Sequence, residues 1–132
     1  MSRKIFVNLP VKDLDRSVEF FKKLNFTFNP QFTGENATMM VVGEDIYVML
    51  LVEKFFKTFT PKEIADTGKS TEVIISLSAS SREEVDRLAD LALQSGGKPS
   101  VPTQEMDGMY VRGFEDPDGH LWEVAYMEIP DK

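Results

Sequence analysis

The chain has 132 residues, 42% hydrophobic and 28% charged, enough for one domain whose core needs no covalent staples. It contains no cysteine, which excludes disulfides and thiolate nucleophiles or ligands, and no apolar run approaches the length of a transmembrane helix. A net charge of −7 and a pI near 4.7, with no lysine or arginine stripe, argue against a nucleic-acid partner and read as a solubilising surface. Strand-like sequence starts directly behind Met1–Lys4 with no signal-peptide pattern, so the expected location is the cytoplasm, with no membrane partner.

From Ile5 to Val11 the residues alternate: Ile5, Val7, Leu9 and Val11 form an apolar back, while Phe6, Asn8 and Pro10 form a mixed front. A helix follows, with Asp13 as N-cap, Leu14, Val18 and Phe21 at helical spacing, and Asn25 suited to a left-handed stop. Strands are expected at 26–32, 38–42 and 46–51, joined by turns at Gly34-Glu35-Asn36 and Gly43-Glu44-Asp45. The order then recurs. Residues 72–77 read as a strand, and Ser81-Arg82-Glu83-Glu84 as a capping box opening a helix with Val85, Leu88 and Ala92 on one face. Gly96-Gly97 ends that helix, and strands are expected near 100–103, 109–114 and 121–126. The chain therefore reads βαβββ twice, as a repeat of pattern rather than of letters.

These halves, about 4–52 and 71–128, are too small to be independent domains, so 1–132 is expected to form a single α+β domain: two βαβββ modules whose curved mixed sheet surrounds a cleft. Between them, at about 53–70, Thr60-Pro61-Lys62-Glu63 has the form of a helix start, preceded by Phe55, Phe56 and Phe59. A linker pinned by its aromatics is preferred here over a lid on an apolar pocket.

The most specific string is Phe114-Glu115-Asp116-Pro117-Asp118-Gly119-His120-Leu121-Trp122-Glu123. Asp-Pro-Asp-Gly alone is a tight turn and implies no chemistry. With a strand on either side, a glutamate shortly beyond, and Asp13-Leu14-Asp15-Arg16-Ser17 leading into Phe20-Phe21, the chain resembles the vicinal-oxygen-chelate superfamily, the glyoxalase / bleomycin-resistance / extradiol-dioxygenase fold. The resemblance covers nearly the whole chain.

That resemblance implies a cleft that, in metal-dependent members, holds a divalent ion on His, Gln or Glu from the first and last strand of each module, where it polarises a substrate oxygen. Carried over, the ligand positions fall on Phe6 and Met49 in the first module and on Glu72 and Glu123 in the second. Phenylalanine cannot ligate, and a thioether suits hard ions poorly. The expectation is therefore no cofactor; the alternative is one Mg²⁺, Mn²⁺, Ni²⁺ or Zn²⁺ held by Glu72, Glu123 and water. His120, the single histidine, is expected to be exposed or hydrogen-bonded rather than ligating.

Without metal, Glu72 and Glu123 are the catalytic candidates. Two carboxylates close together in an apolar cleft cannot both ionise cheaply, and one with a raised pKa is a competent base; the plainer reading leaves each hydrated or hydrogen-bonded. Phe6, Asn8, Tyr47 and Met49 are the candidate cleft lining, although such residues at strand spacing are more often core. Arg112, which shares a strand face with Tyr110 and Phe114, would favour an anionic substrate group if it faced the cleft, and otherwise forms a surface or interface ion pair. Three functions compete: a metal-independent member binding or transforming a small organic molecule, a metal-dependent lyase of the glyoxalase I type, and a drug-sequestering protein of the bleomycin-resistance type. The first is preferred, in a homodimer as the resemblance implies.

Overall fold

The computed structural model describes residues 3–128. They fall into two compact units, Met1–Ala65 and Asp66–Lys132, each with its own mixed sheet.

In the first unit, β1 (Ile5–Val11), α1 (Leu14–Lys23), β2 (Thr27–Asn29), β3 (Ala37–Gly43) and β4 (Ile46–Val52) follow the expected βαβββ order. The sheet order is β1-β4-β3-β2, with β1 parallel to β4 and the other pairs antiparallel. The Asp13 carboxylate accepts from the Arg16 amide and caps α1, and Asn25 takes the left-handed conformation behind it at φ 74. Helix α1 turns Leu14, Ser17, Phe20 and Phe21 inward and packs on β4, whose Val48 and Leu50 are buried alongside Leu9 and Val11 of β1. The strand expected over 26–32 is shortened: after Asn29 a 3-10 turn runs over Pro30–Phe32, because Pro30 cannot donate to a ladder and the Asn29 side chain accepts from the Gln31 amide.

The helix expected from Thr60 does not form. The Thr60 hydroxyl accepts from the Lys62 amide, two residues on, which closes a local turn in place of a helix cap. A short helix instead occupies Glu53–Phe56 (α2); it packs on β1 and β4, and the Phe55 and Phe59 rings meet edge to face at 5.2 Å.

The second unit repeats the plan with one change. β5 (Ile74–Ser78), α3 (Arg82–Gln94), β8 (Met109–Glu115) and β9 (Leu121–Met127) lie where the pattern puts them, apart from small shifts of end. The strand expected near 100–103 is absent; two fragments, β6 (Lys98–Pro99) and β7 (Gln104–Met106), pair with β8 on either side of that loop. Pro99 and Pro102 supply no amide hydrogens, so an unbroken strand is not available there. The sheet order is β5-β9-β8-β6, with β5 parallel to β9. Helix α3, capped by Ser81 accepting from the Glu84 amide at 3.1 Å, covers the face carrying Phe114, Trp122 and Val124, all buried. Among the described residues no helix is long and apolar enough to cross a membrane.

Candidate functional site

Each sheet has one face against a helix and one away from it, and residues directly paired across strands share a face. In the first unit the register pairs Phe6 with Tyr47 and Asn8 with Met49, and Met49 in turn with Met39 of β3. Phe6, Asn8, Tyr47 and Met49 therefore share the face away from α1. The Phe6 and Tyr47 rings stack with centroids 5.2 Å apart, and Phe6 stays 46% exposed because β1 is an edge strand. Lys4 reaches over the Tyr47 ring and forms an ion pair with Asp45 at 2.7 Å.

In the second unit Glu123 lies on the face away from α3, between Ser76 of β5 and Gly113 of β8. A Cβ on Gly113 would stand 2.5 Å from the Ser100 hydroxyl, so the loop between β6 and β7 folds over this glycine and lays a second hydroxyl beside the glutamate's row. Ser76 could have been read from parity, since Ile74, Ser76 and Ser78 alternate with Ile75 and Leu77. Ser100 carried no signal; the pairing of β6 with β8, which sets Pro99 opposite Phe114, brings it to Gly113.

Glu72 is not Glu123's partner. It lies ahead of β5, outside the sheet, and its carboxylate meets His120 Nδ1 at 3.3 Å. Equivalence of the modules explains the misplacement. Phe6 precedes its helix cap Asp13 by the same interval as Ile74 precedes Ser81, so Ile74, not Glu72, is the second module's counterpart of Phe6. The register agrees: Phe6 pairs with Tyr47 and Ile74 with Leu121, each two residues before Met49 and Glu123 respectively.

Arg112 does not share Glu123's face as the cleft reading had it, and forms ion pairs as the alternative expected. Its guanidinium binds Asp86 and Asp90 of α3 at 3.1 and 2.9 Å, on the face opposite Glu123. Tyr110 joins it there, donating to Asp86 at 2.6 Å. Two α3 carboxylates one helical turn apart outcompete any role across the sheet, and the residue is an ion-pair anchor for the helix.

The Asp-Pro-Asp-Gly turn forms as the sequence implies, but one carboxylate organises it. Asp116 is buried, its Oδ1 accepting from the amides of Asp118 and His120 and its Oδ2 from Trp122 Nε1 at 2.9 Å. Burial raises its pKa above the ordinary aspartate value, while His120 and these hydrogen bonds pull it back. Gly119 has φ 84, and a Cβ there would also meet Thr67, whose hydroxyl donates to the Asp118 carbonyl. His120 is buried, not exposed, and hydrogen-bonded as the alternative expectation had it.

The superfamily's ligand positions thus hold Phe6 and Met49 in the first unit and Ile74 and Glu123 in the second. Glu123 is the one oxygen donor among these positions, and neither unit by itself supplies the three or so protein ligands of a catalytic zinc site. Among the described residues, no three His, Cys, Asp or Glu side chains form a metal-binding group.

Paired βαβββ modules with this turn before the last strand define a class of proteins, and comparison with known proteins agrees. A family model described as bleomycin resistance protein-like N-terminal matches residues 3–43. Hypothetical protein SA1046 from S. aureus is similar at 30% identity and a TM-score of 0.79, over 96% of this chain and 94% of that one. A glyoxalase/bleomycin resistance protein/dioxygenase family enzyme from Burkholderia phytofirmans PsJN shares the fold at 12% identity and a TM-score of 0.82, over 96% of this chain and 100% of that one. So does FosX, a genomically encoded fosfomycin resistance protein from Listeria monocytogenes, at 19% identity and a TM-score of 0.70, over 98% and 96%. A search of curated proteins found no match. The chain has the fold of the glyoxalase/bleomycin resistance protein/dioxygenase proteins, and over residues 3–43 it matches the bleomycin resistance protein-like N-terminal family.

Proposed function

We propose that this protein binds a small organic molecule on a helix-free sheet face without a divalent metal, and that in the second unit the Glu123 carboxylate serves as the proton acceptor for any transformation there. The observation that carries the reading is the residue set at the superfamily's ligand positions, in which only Glu123 offers oxygen. Phe6, Tyr47 and Met49 supply apolar and polarisable surface, and Asn8 an amide that fixes orientation. Ser76 and Ser100 lie near Glu123 as further hydrogen-bonding groups. Glu123 acts alone in this reading, because the Glu72 carboxylate is taken up by His120.

The test starts from the protein as purified. Elemental analysis should return far less than stoichiometric zinc, nickel or iron, and methylglyoxal–glutathione hemithioacetal should not be isomerised above background. A ligand-observed NMR screen of small organic acids, amides and aromatics should give hits that weaken in Phe6→Ala and Glu123→Gln. Stoichiometric metal, with activity lost on chelation and lost again in Glu123→Gln, would overturn the reading in favour of a glyoxalase I-like lyase.

The same reading includes a homodimer. β1 and β5 are edge strands, and Ile5, Phe6, Ile46 and Ile74 are exposed at 54, 46, 44 and 54%. Two-fold pairing is the commonest way to cover such edges. Light scattering should give twice the 15.0 kDa of one chain, and a monomer mass would refute it.

A further inference from the structure

Three of the chain's seven methionines stand in one row across three adjacent strands of the second unit. The register pairs Met106 of β7 with Met109 of β8, and Met109 with Met127 of β9. Directly paired residues point to the same side, so the three side chains leave the sheet together, on the face away from α3. Met106 and Met127 are 56% and 49% exposed, and Met109 between them is half-buried.

The local backbone holds this row in place. Asp107 and Gly108 have φ 47 and 81, the left-handed pair of a two-residue hairpin, which fixes Met106 opposite Met109. The Glu128 amide donates to the Gly108 carbonyl at 2.9 Å, and a Cβ on Gly108 would come within 3.3 Å of the Glu128 carbonyl, so the hairpin tip is pinned to the end of β9. Because Gly108 and Glu128 are hydrogen-bonded to one another, the neighbouring pair, Met109 and Met127, occupies a non-hydrogen-bonded position of the ladder. Cα atoms there are only about 4.5 Å apart and side chains are closest.

We infer that Met106, Met109 and Met127 form a site for a soft monovalent d¹⁰ cation, Cu(I) or its analogue Ag(I). Thioether sulfur is a neutral, polarisable donor that selects such ions over Mg²⁺ or Zn²⁺, which prefer oxygen, nitrogen or thiolate. Unbranched methionine side chains can swing their sulfurs together from one row. Asp107 and Glu128, each adjacent in sequence to one of the three, make the surroundings negative, which favours a cation and disfavours an anionic ligand. The site is separate from the Glu123 position, which is four residues back along β9, roughly 13 Å at the rise of an extended strand. It uses none of the superfamily's ligand positions.

The experiment is a titration of the full chain with Ag(I) in chloride-free buffer, followed through the methionine ε-methyl signals. The other four methionines serve as internal controls. The expected result is saturation at one ion per chain, with the Met106, Met109 and Met127 methyls shifting together and the others still. Met106→Leu or Met127→Leu, which preserve apolar volume, should each weaken binding about tenfold or more, and the double variant should abolish it. Cu(I), delivered from a chromogenic chelator, should move the same three signals, and Zn²⁺ should not. Shifts spread over all the methionines, a Leu double variant that binds as the wild type does, or equal binding of Zn²⁺ would each overturn the assignment and leave the row as apolar surface.

Discussion

Replacing Asp116 by asparagine tests whether the buried carboxylate or its hydrogen-bond geometry governs the turn. Three N–H groups converge on its two oxygens: the amides of Asp118 and His120 on Oδ1, and Trp122 Nε1 on Oδ2. Asparagine has the same shape but only one acceptor atom. In one orientation its NH₂ faces the indole N–H; in the other it faces two backbone amides. Neither satisfies all three donors. The first is the cheaper, exchanging one hydrogen bond to a charged acceptor, worth about 1.5–3 kcal/mol, for a donor–donor contact.

An opposing effect limits the loss. Burial raises the Asp116 pKa, so keeping the charge there is costly and neutral asparagine recovers part of that cost. The net expectation is a destabilisation of about 2 kcal/mol, a fall in Tm on the order of 5–10 °C. Chemical denaturation of wild type, Asp116→Asn, Trp122→Phe and the double variant closes a cycle that isolates the pair. The asparagine substitution should cost clearly less in the Trp122→Phe background, where the conflicting donor is gone. An Asp116→Asn protein as stable as wild type, or a cycle with no coupling, would show that desolvation outweighs the three donors and that the account of the turn is wrong.

Asp86 is held below the ordinary aspartate value by its hydrogen bond from Tyr110 and then by Arg112, with burial opposing. A depressed pKa stabilises the fold above the unfolded value near 3.8 and loses that contribution as pH falls toward the lower folded value; Tyr110→Phe should therefore flatten the acid limb of a stability-versus-pH curve below about pH 4. Gly119→Ala combines a positive φ with a Cβ only 3.0 Å from Thr67 Oγ1, and equilibrium unfolding should show a loss of at least about 1 kcal/mol. Ser81→Ala should cost about 1 kcal/mol as a lost helix cap, whereas Thr60→Ala, which caps no helix, should stay within about 0.5 kcal/mol by the same measurement. Ile74→His should raise Zn²⁺ affinity by about tenfold or more in calorimetry, because it restores a ligand diagonal to Glu123; an equal gain from Glu72→His would refute the placement of Ile74.

Features set by local chemistry were legible in the sequence. Asp13, Asn25 and Ser81 mark helix ends through side-chain-to-amide bonds or left-handed backbone, which depend on near neighbours alone. Strand parity likewise put Phe6, Asn8, Tyr47 and Met49 on one face, since two-residue alternation survives whatever packs above it. The Thr60 helix failed for a reason equally local. Threonine before Pro61 satisfies a helix cap and a short turn alike, and the chain closed the shorter ring onto Lys62.

The candidate site was harder to read because its composition depends on which strand lies beside which, and in what register. A shift of two residues keeps a side chain on its face but moves it by one cross-strand pair, so Glu72 looked equivalent to a ligand position that Ile74 holds. The facing of Arg112 was open for a different reason. Parity correctly grouped it with Tyr110 and Phe114, but nothing in the strand says which face the helix will cover; Asp86 and Asp90, spaced one turn apart on α3, decide that. The carboxylate that remains, Glu123, has its neighbours chosen by the same tertiary facts. Ser76 comes beside it through parallel pairing of β5 with β9, and Ser100 because it follows Pro99, which pairs with Phe114, and so comes opposite Gly113. In the proposed reading Glu123 therefore works as a carboxylate beside hydroxyls, and the Glu72 carboxylate, which the acid–base pair would have needed, instead meets His120 at the end of the Asp-Pro-Asp-Gly turn.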